Sequence, residues 1–233
     1  ASAPGMPEES RCMLMSWLPG VPLGKRLNEA NLFKMGVLFA RLHAYSAGFT
    51  PPPGFTQRKM SQVFAREEEA LLFGASCQEA FDPHSLAIFE QAWARVEAAY
   101  AQLYADPNGL RVIHHDLWHD NIHVYRGRLF PLDFEDTVWG YPVQDLAMAI
   151  HDLWDDAPPE LFEPYQAALR QGYESLSPWP EQYPGQIEGF RVGRMFWVAN
   201  WVARYQRQYL KEHIEQVSPV LERFLETGRV RKA

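Results

Sequence analysis

Apolar residues recur at helical spacing over much of this chain. The clearest case follows Asp82 and Pro83, where apolar positions alternate at steps of three and four and so share one face of a helix. These positions are Leu86, Phe89, Trp93, Val96, Tyr100 and Leu103. Asp82 is a favoured N-cap residue, and Pro83 is well tolerated in the first turn. We therefore predict a helix that begins directly after Asp82.

Further stretches share this spacing and predict a mostly helical protein. Helices are predicted at residues 32–42, 60–73 and 143–154. From Pro158 to the end, the chain is also predicted to be helical, with breaks at 177–180 and 183–185. Within the last stretch, a candidate core stripe contains one charged residue, Arg194. The other members of the stripe are Ile187, Phe190, Trp197, Trp201 and Tyr205.

Two short apolar runs in the middle of the chain predict a β-hairpin instead. The runs are residues 122–125 and 129–132, and they flank a turn that contains Gly127. If the turn centres on Gly127, then Asn121 and Asp133 are equally far from it and face each other. Opposed residues of an antiparallel pair lie roughly 5 Å apart. An amide oxygen and a carboxylate would therefore meet at the open end of the hairpin.

These oxygen atoms are suitable ligands for a hard cation, Mg²⁺ above all. Asp116 lies on the loop that leads into the hairpin, which would bring a third polar side chain to the same place. A carboxylate base, a metal ion and a phosphate-bearing substrate are the parts that phosphoryl transfer requires. Glu135 and Asp136 follow shortly after Asp133. We interpret them either as ligands of a second metal ion or as caps of a turn.

Composition and charge narrow the class of protein. Of the 233 residues, 47% are hydrophobic, which is enough for a sizeable core, and the formal net charge of −7 disfavours a general nucleic-acid surface. Two cysteines do not make a disulfide framework, so we expect a reducing compartment. No apolar run approaches the roughly 20 residues of a membrane span, and the first residues do not resemble a signal peptide. We expect a cytoplasmic protein that binds neither nucleic acid nor membrane.

The polar residues of the middle segment also form a spaced signature. It consists of His114-His115-Asp116, Asn121, Asp133-Phe134-Glu135, Gly140-Tyr141-Pro142 and Asp145-Leu146-Ala147. This signature resembles that of the aminoglycoside phosphotransferase and choline kinase family, which has the protein-kinase-like fold. Residues 14–20 resemble the interlobe hinge of that family, and residues 38–43 resemble the first large helix of its C-terminal lobe.

The resemblance implies a fold class and a division of the chain. We expect an α+β, mostly helical protein, the C-terminal lobe of the protein-kinase-like fold, with a small β-hairpin that carries the catalytic loop. Residues 1–10 would be a flexible lead-in, residues 11–20 the interlobe hinge and residues 21–233 the helical lobe, with catalytic loop and hairpin at 111–136. The family's N-terminal lobe should precede the hinge and is expected to be absent. All five lysines follow the hinge, so none matches the lysine of that lobe that grips the nucleotide phosphates.

The resemblance also implies roles for single residues. Asp116 matches the catalytic aspartate that accepts the proton of the substrate hydroxyl. Asn121 and Asp133 match the metal ligands that bridge the nucleotide phosphates. His114 matches a structural residue that packs under the catalytic loop, and Asp145 matches an aspartate that braces this loop.

The implied activity is transfer of the γ-phosphoryl group of ATP or GTP, with Mg²⁺, to a small-molecule hydroxyl substrate. The backbone of Ser16, Trp17 and Leu18 matches the adenine-binding hinge. His115 departs from the family, which usually has a small residue there, often glycine. We expect its side chain to contact the phosphates or to narrow the substrate entrance. Glu135 stays a candidate for metal or substrate binding.

Two other functions stay open at this point. The chain could be a lobe-only module that binds or regulates without catalysis. It could also be a metal-dependent phosphohydrolase, because a transition-metal site needs clustered imidazole and carboxylate ligands. The candidate ligands of such a site are His114, His115, His119 and His123 with Asp116 and Asp120.

Two groups of residues suggest a cationic substrate. Aromatic rings can form a cage around a quaternary ammonium group, although core packing is the more common role of tryptophan. The candidate rings are Trp154, Trp179, Trp197 and Trp201. The acidic residues Asp152, Asp155, Asp156 and Glu160 could hold a cation or form a solvated face.

Overall fold

α-Helices form most of residues 16–64 and 69–230, the parts of the chain that this computed structural model describes. In chain order these helices are α1 (Glu29–Ala47), α2 (Pro83–Ala105), α3 (Pro142–Asp156), α4 (Pro159–Glu174), α5 (Gln186–Tyr205) and α6 (Leu210–Thr227). The strands are β1 (Val21–Pro22), β2 (Arg111–Ile113), β3 (Ile122–Tyr125), β4 (Arg128–Pro131) and β5 (Val138–Gly140). Within those same parts, no helix is both long and apolar enough to cross a membrane.

The helix boundaries follow local capping chemistry. The side chain of Asp82 accepts hydrogen bonds from the N–H groups of His84 (2.8 Å) and Ser85 (3.1 Å), which begins α2 as predicted. The side chain of Asn28 does the same for α1, where it accepts the N–H of Asn31 at 2.9 Å. The predicted apolar face of α2 is turned inward, and Phe89 and its neighbours belong to the main core.

The predicted helix at residues 60–73 is wrong wherever the structure describes this segment. Its backbone is tied to other elements instead of to itself. The N–H of Met60 donates to the carbonyl of Trp139 at 2.8 Å, and the N–H of Leu71 donates to Oδ1 of Asn200 at 2.7 Å. Helix propensity is a weak preference, and these tertiary hydrogen bonds override it.

The strands form two small antiparallel sheets. One has the order β1-β3-β4, and the other pairs β2 with β5. Because β2 leads into the loop that carries Asp116 and β5 leads into α3, the second pairing places that loop beside the first turn of α3. The Nζ atom of Lys34 on α1 donates to the carbonyl of Gly127 at 2.9 Å, which holds the tip of the β3–β4 hairpin.

The hairpin exists as predicted, but its centre lies midway between Arg126 and Gly127 instead of on Gly127. Tyr125 pairs with Arg128, so the turn has two residues, Arg126 and Gly127, both with positive φ (48° and 76°). Turns of this kind match the twist of the flanking strands. The pairing continues to Asn121, whose carbonyl accepts the N–H of Leu132 at 2.9 Å. Asn121 therefore opposes Leu132, and the predicted opposition of Asn121 and Asp133 about Gly127 is wrong.

Helices α1 and α4 approach so closely that their backbones touch. A Cβ atom added to Gly36 would lie 1.9 Å from the carbonyl oxygen of Leu169, and one added to Gly172 would lie 1.9 Å from that of Phe33. A neighbouring side chain could rotate away, but a helical backbone cannot. The pair of glycines therefore sets the distance between the two helices.

Gly172→Ala is expected to destabilise the protein by about 1–3 kcal/mol, since the added methyl group must push α1 and α4 apart. Gly189→Ala on α5 is the matched control. Its Cβ would have its nearest neighbour at 3.8 Å, an ordinary contact, so the better helix propensity of alanine should leave stability unchanged or slightly raised. Urea unfolding of the two variants measures the difference. Equal stabilities would contradict the close approach.

The candidate core stripe on α5 is only partly correct. Phe190 is buried, but Trp201 is 39% exposed and Tyr205 is 66% exposed. The face that packs into the core includes Phe196 instead, whose ring contacts those of Phe89, Trp93 and Phe73. Arg194 stands at the edge of this core and lines a cavity beside Asp116.

Candidate active site

Asp145, in the first turn of α3, holds the backbone of the loop that carries Asp116. Its side chain is 1% exposed. Its Oδ1 accepts the N–H of His115 at 2.7 Å, and its Oδ2 accepts the N–H of His114 at 3.2 Å. A single buried carboxylate therefore fixes two consecutive peptide units directly before Asp116.

Asp145 is itself held by α1. Nε2 of His43 donates to its Oδ2 at 3.0 Å, and Nδ1 of His43 contacts the hydroxyl of Tyr173 at 3.1 Å. Burial alone raises the pKa of Asp145, but the hydrogen bond from His43, the electrostatic interactions with His43 and His114 and the N–H of His115 outweigh it. The pKa of Asp145 is therefore lowered, and the carboxylate is ionised at neutral pH.

His114 ties the loop to the end of the hairpin. Its Nε2 lies 2.8 Å from the carbonyl oxygen of Leu132, which can only accept, so Nε2 carries a proton. Its Nδ1 accepts the N–H of Asp116 at 3.3 Å. The two contacts together fix the orientation of the ring, with Nε2 toward the hairpin and Nδ1 toward the loop. The ring also packs against Phe134, with centroids 4.6 Å apart.

His115 adopts a backbone conformation that glycine prefers. Its φ is +65°, in the left-handed region that side chains with a Cβ occupy only at a cost. This geometry gives a physical reason why a residue without a side chain would be favoured at this position. The side chain of His115 lines the same cavity as Asp116.

Asn121 is bonded directly to Asp116. Its Nδ2 donates to the carbonyl oxygen of Asp116 at 2.8 Å and to the carboxylate Oδ2 at 2.9 Å. The amide nitrogen makes both contacts, so the amide oxygen of Asn121 is not used in them. The structure therefore brings these two predicted site residues together, with the carboxylate of Asp116 oriented by the amide.

Asp133 lies one residue beyond the last backbone pair of the hairpin. Its φ of 58° and ψ of 65° place it in the left-handed region, where aspartate is one of the better tolerated residues. It is exposed, and so is Glu135 in the short helical turn that follows. Asp136, the next residue, lines the cavity beside Asp116.

The cavity beside Asp116 has a volume of about 210 Å³. Its polar lining includes His115, Asp116, Asp136, Gln144 and Arg194, and apolar residues form much of the remaining wall. The apolar and aromatic lining residues include Met60, Val63, Met148, Phe190 and Trp197. A pocket with apolar walls and a few polar groups is the usual form of a small-molecule site.

The sequence did not single out a charged pair near this cavity. Nη2 of Arg194 on α5 lies 3.9 Å from Oδ1 of Asp152 on α3. The pKa of Asp152 is raised to about 6, mainly because the carboxyl group is buried; the charge of Arg194 opposes this rise, and the charges of Asp116, Asp155 and Asp156 add to it. Sequence spacing predicted α3 and α5 but not that they pack together, so the pair had no visible signal.

The predicted histidine cluster does not form among the residues that the structure describes. Nε2 of His119 lies 2.9 Å from Oδ2 of Asp156, while His114 is bonded to the hairpin. Within those residues, no three His, Cys, Asp or Glu side chains come together where a metal ion could bind all of them. The oxygen atoms of Asn121 and Asp133, which could share a metal with phosphate groups, are a different kind of donor set.

The four tryptophans do not form a common cage either. Trp197 lines the cavity beside Asp116. Trp154 lies under the guanidinium group of Arg191, and Trp179 packs edge-on against Tyr173. The suggested cage therefore does not form, and Trp197 is the one of these four rings that lines the cavity.

The predicted hinge falls at the edge of the described residues. Ser16 to Leu18 are irregular in structure, and the side chain of Trp17 is 86% exposed. The predicted lead-in at 1–10 and the first five residues of the predicted hinge lie outside the described part of the chain.

Comparison with known proteins concerns the family and the fold. Residues 2–179 match the sequence model of the phosphotransferase enzyme family. Among curated proteins, no sequence matches this chain.

Several solved structures share the fold. An amicoumacin kinase in complex with AMP-PNP, Ca²⁺ and Ami is 16% identical with a TM-score of 0.67; the match covers 87% of this chain and 63% of that one. A microcompartment-associated aminopropanol kinase is 18% identical, with a TM-score of 0.66 and coverages of 88% and 65%. A choline/ethanolamine kinase family protein from Mesorhizobium loti is 16% identical, with a TM-score of 0.59 and coverages of 89% and 65%.

At these identities the likeness concerns the fold, and it confirms the predicted class, a mostly helical protein related to the protein-kinase-like fold. The chain spans less than two thirds of the length of each of these three proteins.

Proposed function

Because the chain belongs to the phosphotransferase enzyme family, we propose that the full-length protein transfers the γ-phosphoryl group of ATP or GTP to a hydroxyl group of a small molecule. The observation that carries the proposal is the pair of hydrogen bonds from the Asn121 amide to Asp116 in the wall of a cavity. Three proteins of similar fold are named as kinases of small molecules, which supports the same class of reaction.

Asp116 is the catalytic base in this proposal. As the substrate hydroxyl oxygen forms its bond to the γ-phosphorus, the hydroxyl proton passes to the carboxylate of Asp116. The bond from the γ-phosphorus to the bridging oxygen breaks, and the nucleoside diphosphate leaves. Asn121 orients Asp116 through the 2.9 Å hydrogen bond to Oδ2, so the base is already in place when the substrate binds.

Asn121 and Asp133 are the proposed metal ligands. Both offer oxygen atoms, the donors that Mg²⁺ prefers, and the exposure of Asp133 suits an ion that keeps several water ligands. Bound Mg²⁺ would neutralise charge on the nucleotide phosphates. Glu135 is exposed two residues after Asp133 and is the candidate for an additional ligand. His115 lines the cavity and would contact the substrate or its phosphate.

Two further parts complete the proposal. Asp145 and His114 position the loop through the hydrogen bonds described above. A preceding nucleotide-binding lobe, as in the family, would be the partner of this helical lobe, with Ser16, Trp17 and Leu18 as the adenine-binding hinge. A reaction that uses ATP or GTP also fits the cytoplasmic location expected from the sequence.

The test is a phosphorylation screen of the full-length protein. It offers ATP or GTP with Mg²⁺ and a panel of alcohols that includes amino alcohols, hydroxy amino acids, sugars and polyols. We expect transfer to at least one compound, and we expect Asp133→Ala to abolish it. A folded protein that binds nucleotide but phosphorylates no member of the panel would favour the non-catalytic module instead.

Metal dependence gives a more specific prediction. Asp133→Asn removes one formal charge from the proposed ligand set, and it is expected to raise the Mg²⁺ concentration for half-maximal turnover by at least about tenfold. Asp120→Asn is the matched control, because Asp120 is an exposed aspartate on the preceding loop. Titration of turnover with Mg²⁺ measures both. An unchanged midpoint in Asp133→Asn would remove Asp133 from the metal site.

A further inference from the structure

Arg194 is the only arginine or lysine among the described residues that line the cavity beside Asp116. The acidic residues of the lining are Asp116 and Asp136. Position 193 on the same helix is a glycine whose added Cβ would lie 3.4 Å from the hydroxyl of Tyr100, so this part of the wall has little room to spare. The site therefore has two carboxylates and one guanidinium group around a small space.

The guanidinium group of Arg194 is only partly satisfied. It lies over the ring of Trp197, with its central carbon 4.4 Å from the ring centroid. Its distance to Asp152, 3.9 Å, is too long for a hydrogen bond. Its Nε is buried and has no hydrogen-bond partner in the described part of the chain. Buried donors without partners are costly, so an acceptor that enters the cavity is favoured.

The pair of Arg194 and Asp152 is close to the catalytic loop. Asp116 and Arg194 line the same cavity, and Asp152 lies 3.9 Å from Arg194. A substrate whose hydroxyl group lies at Asp116 can therefore extend to Arg194 within the same small cavity. A volume of about 210 Å³ is below the roughly 300–1,000 Å³ of pockets that hold drug-sized ligands, and it suits a compound with few atoms.

We propose that Arg194 binds a carboxylate of the substrate and that the site phosphorylates small hydroxy amino acids. This inference rests on the proposed function. The planar fork of an arginine matches a carboxylate and can bind it through two parallel hydrogen bonds. Asp116 and Asp136 would repel a simple anion, whereas the ammonium group of an amino acid is attracted to these carboxylates. A zwitterion thus matches the signs of charge around the cavity, and the short apolar walls accommodate its carbon chain.

Pairs of compounds that differ only in the carboxylate test this inference on the full-length protein. They are serine and ethanolamine, threonine and 1-aminopropan-2-ol, and homoserine and 3-aminopropan-1-ol. We expect kcat/KM to be at least about tenfold higher for the acid member of the pair that reacts best. Arg194→Met should lower kcat/KM for that acid by about 10- to 100-fold, mainly through KM, and change the value for its amino alcohol less than about threefold.

Three variants separate recognition from folding. Arg194→Lys keeps the charge but not the fork, and should retain part of the preference for the acid. The double variant with Arg194→Met and Asp152→Asn leaves no buried aspartate without its counter-ion, and should lose the preference while remaining folded. Arg223→Met, which removes an exposed arginine on α6, is the control and should change nothing.

The outcomes are distinct. A wild-type preference for the amino alcohol in every pair overturns the inference, as does an equal loss of activity on both members in Arg194→Met and in the double variant. Transfer to neutral alcohols or amino alcohols, but to none of the acids, also overturns it and leaves the proposed function intact. Absence of transfer to any alcohol overturns the proposed function itself and the inference with it.

Discussion

Asp116→Ala is expected to lower the turnover of the full-length protein by about 10²–10⁴-fold, because it removes the proposed acceptor of the substrate proton. The protein should stay folded. Asp116 is only partly buried, and the amide of Asn121 would still donate to the backbone carbonyl of residue 116 at 2.8 Å, which keeps the loop in place. Steady-state turnover on the best substrate of the screen and the melting temperature are the two measurements.

Two further variants make this result specific. Asp116→Asn preserves the shape of the side chain but not its basicity, so it should be nearly as inactive as Asp116→Ala. Asp120→Ala, an exposed carboxylate on the same loop, should retain turnover within about a factor of three. Near-normal activity in Asp116→Ala would remove the base from the proposed mechanism, whatever the control shows.

Local chemistry explains which parts of the fold could be predicted. Asp82 and Pro83 determine the start of α2 through contacts within three residues, so the sequence contains the whole signal. The β3–β4 hairpin also follows from neighbouring apolar runs. Its register depends on whether the turn uses two or three residues. Arg126 has a positive φ, but arginine is not among the residues preferred at that position of a two-residue turn, so the sequence does not indicate one. The partner of Asn121 was predicted wrongly because the turn was assumed to centre on Gly127.

The missed features depend on contacts between distant segments. The segment after Met60 is helical by composition but bonds to Trp139 and Asn200, which no local pattern encodes. The same is true of Arg194. Its spacing predicted a place in an apolar stripe, but the packing of α3 against α5 brings it to Asp152. The spacing of Asp116 and Asn121 was visible because both lie on one short loop. The cavity that Asp116 shares with α5 was not.

Asp145 differs from the other candidate site residues because it is expected to stabilise the fold as well as to position the catalytic loop. Asp145→Asn is expected to destabilise the protein at pH 7 by about 3–5 kcal/mol, because it removes a buried carboxylate that accepts three hydrogen bonds. Asparagine has an NH₂ group in place of one carboxylate oxygen of aspartate. This NH₂ group would face at least one of three groups that are themselves hydrogen-bond donors: Nε2 of His43 and the N–H groups of His114 and His115. For a protein of this size, each kcal/mol corresponds to roughly 2–4 °C in melting temperature.

The dependence on pH identifies the charge as the cause. The pKa of Asp145 is lowered in the folded state, so its ionised form stabilises the fold above the unfolded pKa of about 3.9. This contribution is lost as the pH falls through the lower, folded pKa. Urea unfolding at pH 7 and at successively lower pH should therefore show a gap between wild type and Asp145→Asn that narrows below about pH 4. Asp155→Asn, an exposed position on the same helix, should show a gap below about 1 kcal/mol throughout.

A double-mutant cycle with His43 separates the two functions of Asp145. If the carboxylate acts mainly through the 3.0 Å contact with His43, His43→Ala and Asp145→Asn should be strongly non-additive in unfolding free energy. The hydrogen bonds to the N–H groups of His114 and His115 are made by Asp145 alone, so at a temperature where both variants are folded only Asp145→Asn should displace Asp116. Turnover should then fall further in Asp145→Asn than in His43→Ala of equal stability. Equal turnover in the two would mean that Asp145 stabilises the fold without positioning the loop.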